Sequence, residues 1–172
     1  MNADFLLIQK MKRGDEAAFD SFVRKYYDDL LNYCHYHCFD PTYAEDLTQE
    51  TFIRFFTKLS EFQFLGKTKN YLYTIAGNLC KDYYKKKKDL PAEREELEQN
   101  AAPSPFEAVT EKVMIESALQ SLSPQLKEVI LLYYFQDLNL SEIAEVLQIS
   151  LSLVKYRLRQ AKQQLRQVLE HT

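Results

Sequence analysis

Two short basic segments contain the residues whose types and spacing are most clearly suited to binding another molecule. Residues 155–166 hold five Lys or Arg and no acidic residue, and residues 81–88 hold five Lys against one Asp. The whole chain of 172 residues has a net charge of −3, which alone gives no sign of a nucleic-acid partner. Local basic clusters of this density can nevertheless hold a phosphate backbone. Both segments are therefore candidate nucleic-acid contacts.

Tyrosines accompany the lysines of the first segment. Between residues 69 and 88, Tyr71, Tyr73, Tyr83 and Tyr84 alternate with Asn78 and the lysines. Aromatic rings stack on unpaired bases, worth about 1–3 kcal/mol per base, while lysines hold the phosphates of the same strand. The pattern therefore suits a single nucleic-acid strand, although a tyrosine-rich core helix with a lysine tail would have the same residues.

A cluster of Cys34, His35, His37 and Cys38 has the residue types of zinc ligands. On a helix the two cysteines share a face while the two histidines point elsewhere, and no second Cys/His group completes a site. We therefore expect no metal site, and we expect both histidines to lie near the surface at a helix end.

Motifs for catalysis are missing from the sequence. It has no phosphate-binding glycine loop, no nucleophile elbow and no converging pair of carboxylates. We expect no catalytic residue, no cofactor and no small-molecule substrate. Three cysteines favour a reducing compartment over a disulfide framework, and the first residues lack the pattern of a signal peptide, so we expect a cytoplasmic protein.

The hydrophobic pattern predicts an all-α protein of two small helical domains. Apolar residues recur every three or four positions, and Gly and Pro are scarce. Residues 89–105 interrupt this pattern with acidic residues and three prolines, which is typical of a flexible linker. The predicted helices span about residues 15–37, 41–59, 69–88, 105–122, 124–135, 139–147 and 151–169, giving domains at 1–88 and 106–172.

The last two predicted helices have the pattern of a helix-turn-helix. Ala144 is small where the second helix would cross the first, and Ile149 and Val154 would fix the angle between them. The second helix then exposes side chains that can reach bases and phosphates in a major groove, namely Ser152, Lys155, Tyr156 and Arg159, flanked by Arg157 and Lys162. An ordinary amphipathic helix pair with a solvated basic face would show the same pattern.

Residues 44–59, AEDLTQETFIRFFTKL, combine a polar face with an opposite apolar face. Glu45, Asp46, Gln49 and Glu50 form the polar face. Taken alone, this segment is the solvated side of a surface helix.

Together these segments resemble the extracytoplasmic-function (ECF) group of sigma-70-type factors over about residues 13–169. Residues 14–19, GDEAAF, look like the opening segment of the group, and residues 44–52, AEDLTQETF, are close to its most recognisable motif, in region 2.2. Residues 71–83 are similar to regions 2.3 and 2.4, and residues 119–169 resemble region 4.

The resemblance implies an alternative sigma factor that binds core RNA polymerase and directs promoter-specific initiation, as in bacterial stress responses. Region 2.2 would dock on the polymerase β′ clamp through Glu45, Asp46, Gln49, Glu50 and Phe52. The residues matching those that hold the −10 element are Lys67, Lys69, Tyr71, Tyr73, Asn78, Lys81, Tyr84 and Lys85. Region 4 would touch the β-flap and read the −35 element through Ser150, Ser152, Lys155, Tyr156, Arg157, Arg159 and Lys162. An anti-sigma factor, often membrane-anchored, commonly lies between the two domains.

Several positions depart from the family pattern. Tyr71 stands where Trp is usual, and Gly77 stands where Arg is common, at a cost to the helix of about 1 kcal/mol relative to Ala. Leu153, Tyr156 and Gln160 replace the usual Thr, Ser and Arg. These changes affect which promoter is chosen rather than the mode of binding.

Two other classes of protein remain open from the residues. A helix-turn-helix regulator that acts without polymerase would bind duplex DNA stably as the free protein, but it leaves residues 45–52 unexplained. A helical adaptor or sigma mimic would bind no DNA, so that Lys155→Ala and Arg159→Ala would change nothing.

Overall fold

The structure, a computed structural model, describes residues 2–89 and 111–171. Within these ranges the chain forms helices and no strand, so the all-α prediction is confirmed. The elements are α1 (Ala3–Lys12), α2 (Glu16–Cys38), α3 (Pro41–Thr57), α4 (Thr68–Lys88), α5 (Glu111–Gln120), α6 (Pro124–Ile130), a π-helical turn (Leu131–Phe135), α7 (Leu140–Leu147) and α8 (Leu151–Glu170).

The predicted linker at residues 89–105 lies outside the described residues, apart from Asp89 at the end of α4. The predicted start of the next helix near residue 105 lies outside them as well. The first helix of the second domain is described over Glu111–Gln120.

The first domain, α1 to α4, is built around aromatic side chains of α2. Phe22 stacks on Phe55 of α3 with ring centroids 4.9 Å apart, and Tyr33 meets Tyr73 of α4 edge to face at 5.1 Å. Each such pair contributes about 0.5–1.5 kcal/mol beyond the burial of its area. This core fixes which faces of α3 and α4 remain at the surface.

The helix starts in this domain are set by side chains, as the sequence indicates. Asp15 accepts hydrogen bonds from the amides of Ala17 and Ala18 at the start of α2. Asp40 caps α3, with Pro41 at its first position, where a missing N–H costs nothing.

The second domain, α5 to α8, contains the predicted helix-turn-helix. Asn139 and Glu142 form the capping box that starts α7, and Gln148 ends it in the left-handed conformation with φ 54°. Ser150 then caps α8 by accepting from the amide of Leu153. On α8, Val154 and two further apolar residues face a core shared with the other helices.

Two local features differ from the sequence prediction. The first helix, α1, was not predicted, because few of its residues are buried and its apolar periodicity is weak; it packs on α2 through Ile8 and Met11. The single helix expected over residues 124–135 changes at Leu131 into a π-helical turn, in which Leu131 and Leu132 are both fully buried.

The expectation that His37 lies near the surface is wrong. Its ring is buried between Tyr33 and Tyr84, with centroids 4.6 Å and 6.3 Å away, and within the described part of the chain neither ring nitrogen has a hydrogen-bond partner. Burial, reinforced by Lys127 and Lys81, holds the pKa of His37 well below its usual value of 6.5. The imidazole is therefore neutral.

The neighbouring residues do not form a metal centre with His37. His35 is half-buried and lies 3.3 Å from a carboxylate oxygen of Glu116, while Cys34, Cys38 and Cys80 are buried free thiols. Among residues 2–89 and 111–171, no three His, Cys, Asp or Glu side chains are grouped so as to hold a metal ion.

His37→Phe should raise the free energy of unfolding by about 1–3 kcal/mol at neutral pH, since it removes two buried nitrogens that lack partners. The gain should grow as the pH falls below 6.5, because the unfolded wild type takes up a proton that the folded protein does not, at up to about 1.4 kcal/mol per pH unit. Urea unfolding at pH 7.5 and pH 5.5 measures both effects. His171→Phe, at an exposed position, is the matched control and should change neither.

Candidate nucleic-acid interface

The second helix of the helix-turn-helix, α8, separates its residues cleanly into two faces. Val154, Leu158 and Ala161 are buried and fix the rotation of the helix. The opposite face places six of the seven residues predicted for duplex contact at the surface: Ser150, Ser152, Lys155, Tyr156, Arg159 and Lys162. The geometry required of a major-groove helix is therefore present.

Arg157, the seventh predicted residue, is half-buried. Burial raises the pKa of Glu128, and the positive charges of Lys81, Arg157 and Lys127 act against that rise. The positive charge of Arg157 therefore also stabilises the ionised form of the Glu128 carboxyl group inside the protein.

Lys162 is exposed, but its ammonium group has neighbours on the protein. It lies 5.5 Å from the ring centroids of both Tyr133 and Tyr134, in cation–π geometry. These rings hold the ammonium group at the edge of α8, where a phosphate could reach it.

The outer face of α4 exposes Asn78, Lys81 and Lys85, as the sequence predicts. Tyr71 is half-buried at the start of the helix, 5.1 Å from the ring of Phe62 and 5.8 Å from that of Phe55. A nucleic-acid strand that ran along α4 from its N-terminal end would contact the side-chain amide of Asn78 first. It would then contact Lys81 and Lys85, which lie about one and two helical turns further on.

Tyr73 does not lie on this outer face. Its side chain is fully buried against Tyr33, and its hydroxyl donates a 2.5 Å hydrogen bond to Gln136 of the second domain. The ring is inaccessible to a base in this arrangement. The signal was present in the sequence, because Tyr73 shares its helix face with the core residues Ala76 and Cys80.

Three further residues predicted for the −10 element also contact protein groups. Lys67 forms an ion pair with Glu145 at 2.6 Å, and Lys69 donates to the backbone carbonyl of Gln136. Tyr84 is half-buried and donates to the carbonyl of His37.

A cavity of about 300 Å³ lies beside the loop that precedes α4. Its walls include Phe62, Asn70 and Tyr71 of the first domain and Glu145 and Val146 of α7. Asn70 is buried, and its amide nitrogen has no hydrogen-bond partner among the described residues. An aromatic wall beside a free amide donor can hold an extruded base by stacking and hydrogen bonding. Asn70 was missed in the sequence because an Asn inside an apolar helix carries no distinctive spacing.

Gly77 has a packing role. A Cβ atom added there would lie 3.2 Å from Oη of Tyr33, so α2 and α4 approach each other at this point. The residue is buried, and an Arg at this position would point into the core rather than toward a phosphate. Gly therefore replaces the Arg that is common in the family without leaving a gap, because the hydroxyl of Tyr33 occupies the space beside it.

The polar face of α3 is accessible. Glu45, Asp46 and Gln49 are exposed, while Glu50 is half-buried and pairs with Arg54 at 3.1 Å. Ile53, which the sequence analysis did not select, is 57% exposed one turn after Gln49.

Phe52, predicted to belong to this binding surface, lies in the core. It is buried, with its ring 6.3 Å from that of Phe22 and stacked 6.4 Å from that of Tyr27. Phe52 packs on the buried side of α3, opposite the exposed polar face, because position 52 falls on the same side of the helix as the core residues Thr48 and Phe55.

Known proteins match the chain along most of its length. Residues 22–89 match the family model for sigma-70 region 2, and residues 112–165 match that for sigma-70 region 4. The ECF RNA polymerase sigma factor SigW of Bacillus subtilis is 31% identical, over 94% of this chain and 94% of its own. The chain belongs to the ECF sigma factors. It is an alternative sigma factor that directs promoter-specific transcription initiation.

Other relatives agree with this assignment. SigM of Bacillus subtilis is 30% identical over 86% of this sigma factor and 92% of its own chain. Two solved structures share the fold: CnrH in complex with the cytosolic domain of CnrY (TM-score 0.76, 24% identity, 99% of both chains), and RpoE in complex with the anti-sigma factor NepR from Bartonella quintana (TM-score 0.68, 20% identity, 88% of this chain and 96% of that chain). Sigma factors are non-enzymatic initiation factors. In the described part of this one, no helix has the length and apolar character needed to cross a membrane.

The contact between Tyr33 and Gly77 gives a stability prediction. Gly77→Ala should gain about 1 kcal/mol in free energy of unfolding when Tyr33→Phe has removed the hydroxyl, and less in the wild type, where the new Cβ meets that hydroxyl. Urea unfolding of the two single variants and the double variant measures the coupling. Equal gains in both backgrounds would contradict the proposed packing role.

Proposed function

We propose that this sigma factor divides promoter recognition between its two domains, residues 1–88 and 106–172, joined by the linker at 89–105. The observation that carries the proposal is that each domain presents polar and basic side chains on the exposed face of one helix, α4 in the first domain and α8 in the second. Two modest DNA contacts joined through polymerase give a high effective concentration, so neither domain alone needs to bind tightly.

The second domain reads the −35 element as duplex. Ser152, Lys155, Tyr156 and Arg159 occupy the exposed face of α8 and reach base edges, while Lys162 holds a phosphate. Ser150 lies at the N-terminus of α8, where free amides and the helix dipole favour a phosphate.

The first domain holds the non-template strand of the −10 element. Asn78, Lys81 and Lys85 lie along the exposed face of α4, and the cavity beside Asn70 and Tyr71 accepts an extruded base. Lys67, Lys69, Tyr73 and Tyr84 face the second domain in this structure, so their predicted contacts with DNA depend on separation of the domains.

Core polymerase contacts two surfaces of the sigma factor, one in each domain. Glu45, Asp46, Gln49 and Glu50 of α3 dock on the coiled coil of the β′ clamp, with Ile53 adding an apolar contact. The second domain sits on the β-flap. The polymerase supplies the chemistry, and the sigma factor requires no catalytic residue, cofactor or small-molecule substrate.

We also propose that an anti-sigma factor regulates this protein; the resemblance to the family, in which such partners are often membrane-anchored, suggests an anchored one here. The proposal is supported by the shared fold of CnrH and RpoE, whose structures contain CnrY and the anti-sigma factor NepR. The sigma factor acts in the cytoplasm, where the polymerase and the promoter are.

The direct test is in vitro transcription with purified core polymerase on a library of promoter fragments. We expect the added protein to co-purify with core polymerase and to direct new start sites at one class of −35 and −10 elements. A regulator that acts without polymerase would instead bind duplex DNA as the free protein. The proposal fails if the protein neither co-purifies with core nor creates a start site.

Asn78→Ala should impair promoter opening while leaving core binding intact, because Asn78 is exposed on the proposed strand-binding face of α4, whereas the proposed docking residues belong to α3. Permanganate reactivity of unpaired thymines measures opening, and co-purification with core measures docking. Ile53→Ala should show the reverse pattern, with weaker docking. Asn32→Ala, at an exposed position of α2, is the matched control. Loss of core binding in Asn78→Ala would show that the docking surface has been misplaced.

A further inference from the structure

The first helix, α1, has no part in the function proposed above. It spans Ala3–Lys12 and precedes residues 22–89, which match the family model for sigma-70 region 2. Its last residue contacts the loop before α4, residues 58–67, which we call the pocket loop. Because the pocket loop forms part of the cavity proposed for the extruded base, α1 lies where it can affect how the −10 element is chosen.

The pocket loop has few backbone hydrogen bonds of its own. At its start, the amides of Glu61 and Phe62 donate to the carbonyls of Lys58 and Leu59. Within the described part of the chain, no amide of residues 63–66 donates to a backbone carbonyl. This part of the loop therefore takes its shape from contacts with other elements rather than from bonds within itself.

The tip of the pocket loop is largely open to solvent. Leu65 is 78% exposed, and Gly66 adopts a left-handed conformation with φ 78°. Leu65 nevertheless lines the cavity, together with Phe62 and Gln63. The position of this wall of the cavity therefore depends on what restrains the loop on either side of its tip.

Helix α1 supplies two such restraints. The ammonium group of Lys12 donates to the backbone carbonyl of Phe62 at 2.6 Å, and the ring of Phe5 lies 5.6 Å from the ring of Phe64. The two contacts lie on either side of Gln63. Positions 5 and 12 are about two turns apart and share one face of the helix, so a single rigid surface contacts the loop twice.

Helix α1 is itself fixed on α2. The carboxylate of Asp4 is buried and accepts hydrogen bonds from the hydroxyl of Tyr26 and, at 2.5 Å, from the ammonium group of Lys25. Ile8 and Met11 are buried on the same side. Charge-assisted hydrogen bonds of this kind are the strong ones, and α2 packs in turn on α3 and α4. The contacts of α1 therefore connect the pocket loop to the core of the domain.

The other ring contacts of the pocket loop restrain a different part of it. The ring of Phe62 lies 5.2 Å from that of Phe55 and 5.1 Å from that of Tyr71. These contacts fix the ring of Phe62 at the start of the loop, but they do not involve its carbonyl or the ring of Phe64. Those two groups are the ones that α1 contacts.

A cavity discriminates between bases only when its walls keep their positions. A loop that moves can adapt to a second base, and the difference in affinity between the correct and the incorrect base then becomes smaller. The restraint of residues 62–64 by α1 therefore has its main effect on selectivity rather than on the affinity for DNA as a whole.

We propose that α1 is a positioning element for recognition of the −10 element, in which Phe5 and Lys12 keep the pocket loop in the shape that forms the wall of the cavity. Both residues act through the loop and need no contact with DNA. The inference rests on the base-binding role proposed above for that cavity.

The double variant Phe5→Ala/Lys12→Met removes both contacts and tests the proposal. The full-length protein is combined with core polymerase and transcribes a promoter library in which each position of the −10 and −35 elements carries each of the four bases. Selectivity at a position is the ratio of transcript yields for the best and the second-best base. We expect it to fall about five-fold at one −10 position, because each lost contact is a weak one, and to stay unchanged at −35. Co-purification with core polymerase should also be unchanged.

Two further sets of variants make the test specific. Leu6→Ala/Lys10→Met makes comparable substitutions at exposed positions of α1, and as the matched control it should behave as wild type. Lys12→Arg keeps a donor for the carbonyl of Phe62 and should retain most of the −10 selectivity, whereas Lys12→Met alone should lose part of it. Urea unfolding establishes that each variant is folded, and Lys12→Met supplies the test if the double variant is not.

Three results would overturn the positioning role while the sigma function stands. The first is −10 selectivity in the double variant equal to that of Leu6→Ala/Lys10→Met. The second is an equal loss of selectivity at the −35 and −10 positions, which indicates a general defect. The third is loss of core binding in the double variant alone, which would place α1 in the docking surface. If the wild type itself directs no start site, the sigma function fails and the positioning role falls with it.

Discussion

The close approach of α2 and α4 at Tyr33 and Gly77 determines what the rest of the first domain can present. Because Gly77 has no side chain, Tyr33 reaches the backbone of α4 and fixes its rotation. Tyr73 and Cys80 then face inward, and Asn78 and its neighbouring lysines face outward. The same rotation brings the start of α4 beside the loop that forms the cavity, so the exposed face of α4 and the cavity wall are related through one packing contact.

The contact between the domains combines polar and apolar groups. Its polar side chains include a lysine, a glutamine and a glutamate, while the rings of Tyr36 and Phe135 meet at 5.2 Å and the buried apolar residues of the two domains form one continuous cluster. Polar groups of this kind regain hydrogen bonds from water when they separate, so the net free energy of each polar contact is about 0.5–1.5 kcal/mol.

Much of the fold follows from local signals in the sequence. The helix starts predicted at about residues 41, 139 and 151 lie within one residue of those in the structure, where the caps are Asp40, Asn139 and Ser150. The direction in which aromatic residues point was harder to predict. For Phe52 and Tyr73 the type of residue did not indicate burial, since an aromatic ring suits a core as well as a partner; the indication lay in their spacing from the core residues of the same helix. The contacts of Lys67 and Lys69 with the second domain join residues far apart in the chain, so no local pattern could reveal them.

Because residues 131–135 form a π-helical turn, the direction in which the following residues point depends on the number of residues in that turn. A π-helical turn holds one residue more than an α-helical turn, and each residue of an α-helix advances the chain by about 100° around the axis. A relative with one residue fewer here would continue in regular α-helix and carry the residue equivalent to Gln136 away from α4. A single-residue insertion or deletion at this turn would therefore change which residue of the second domain meets Tyr73 and Lys69, with the sequence of α8 left unchanged.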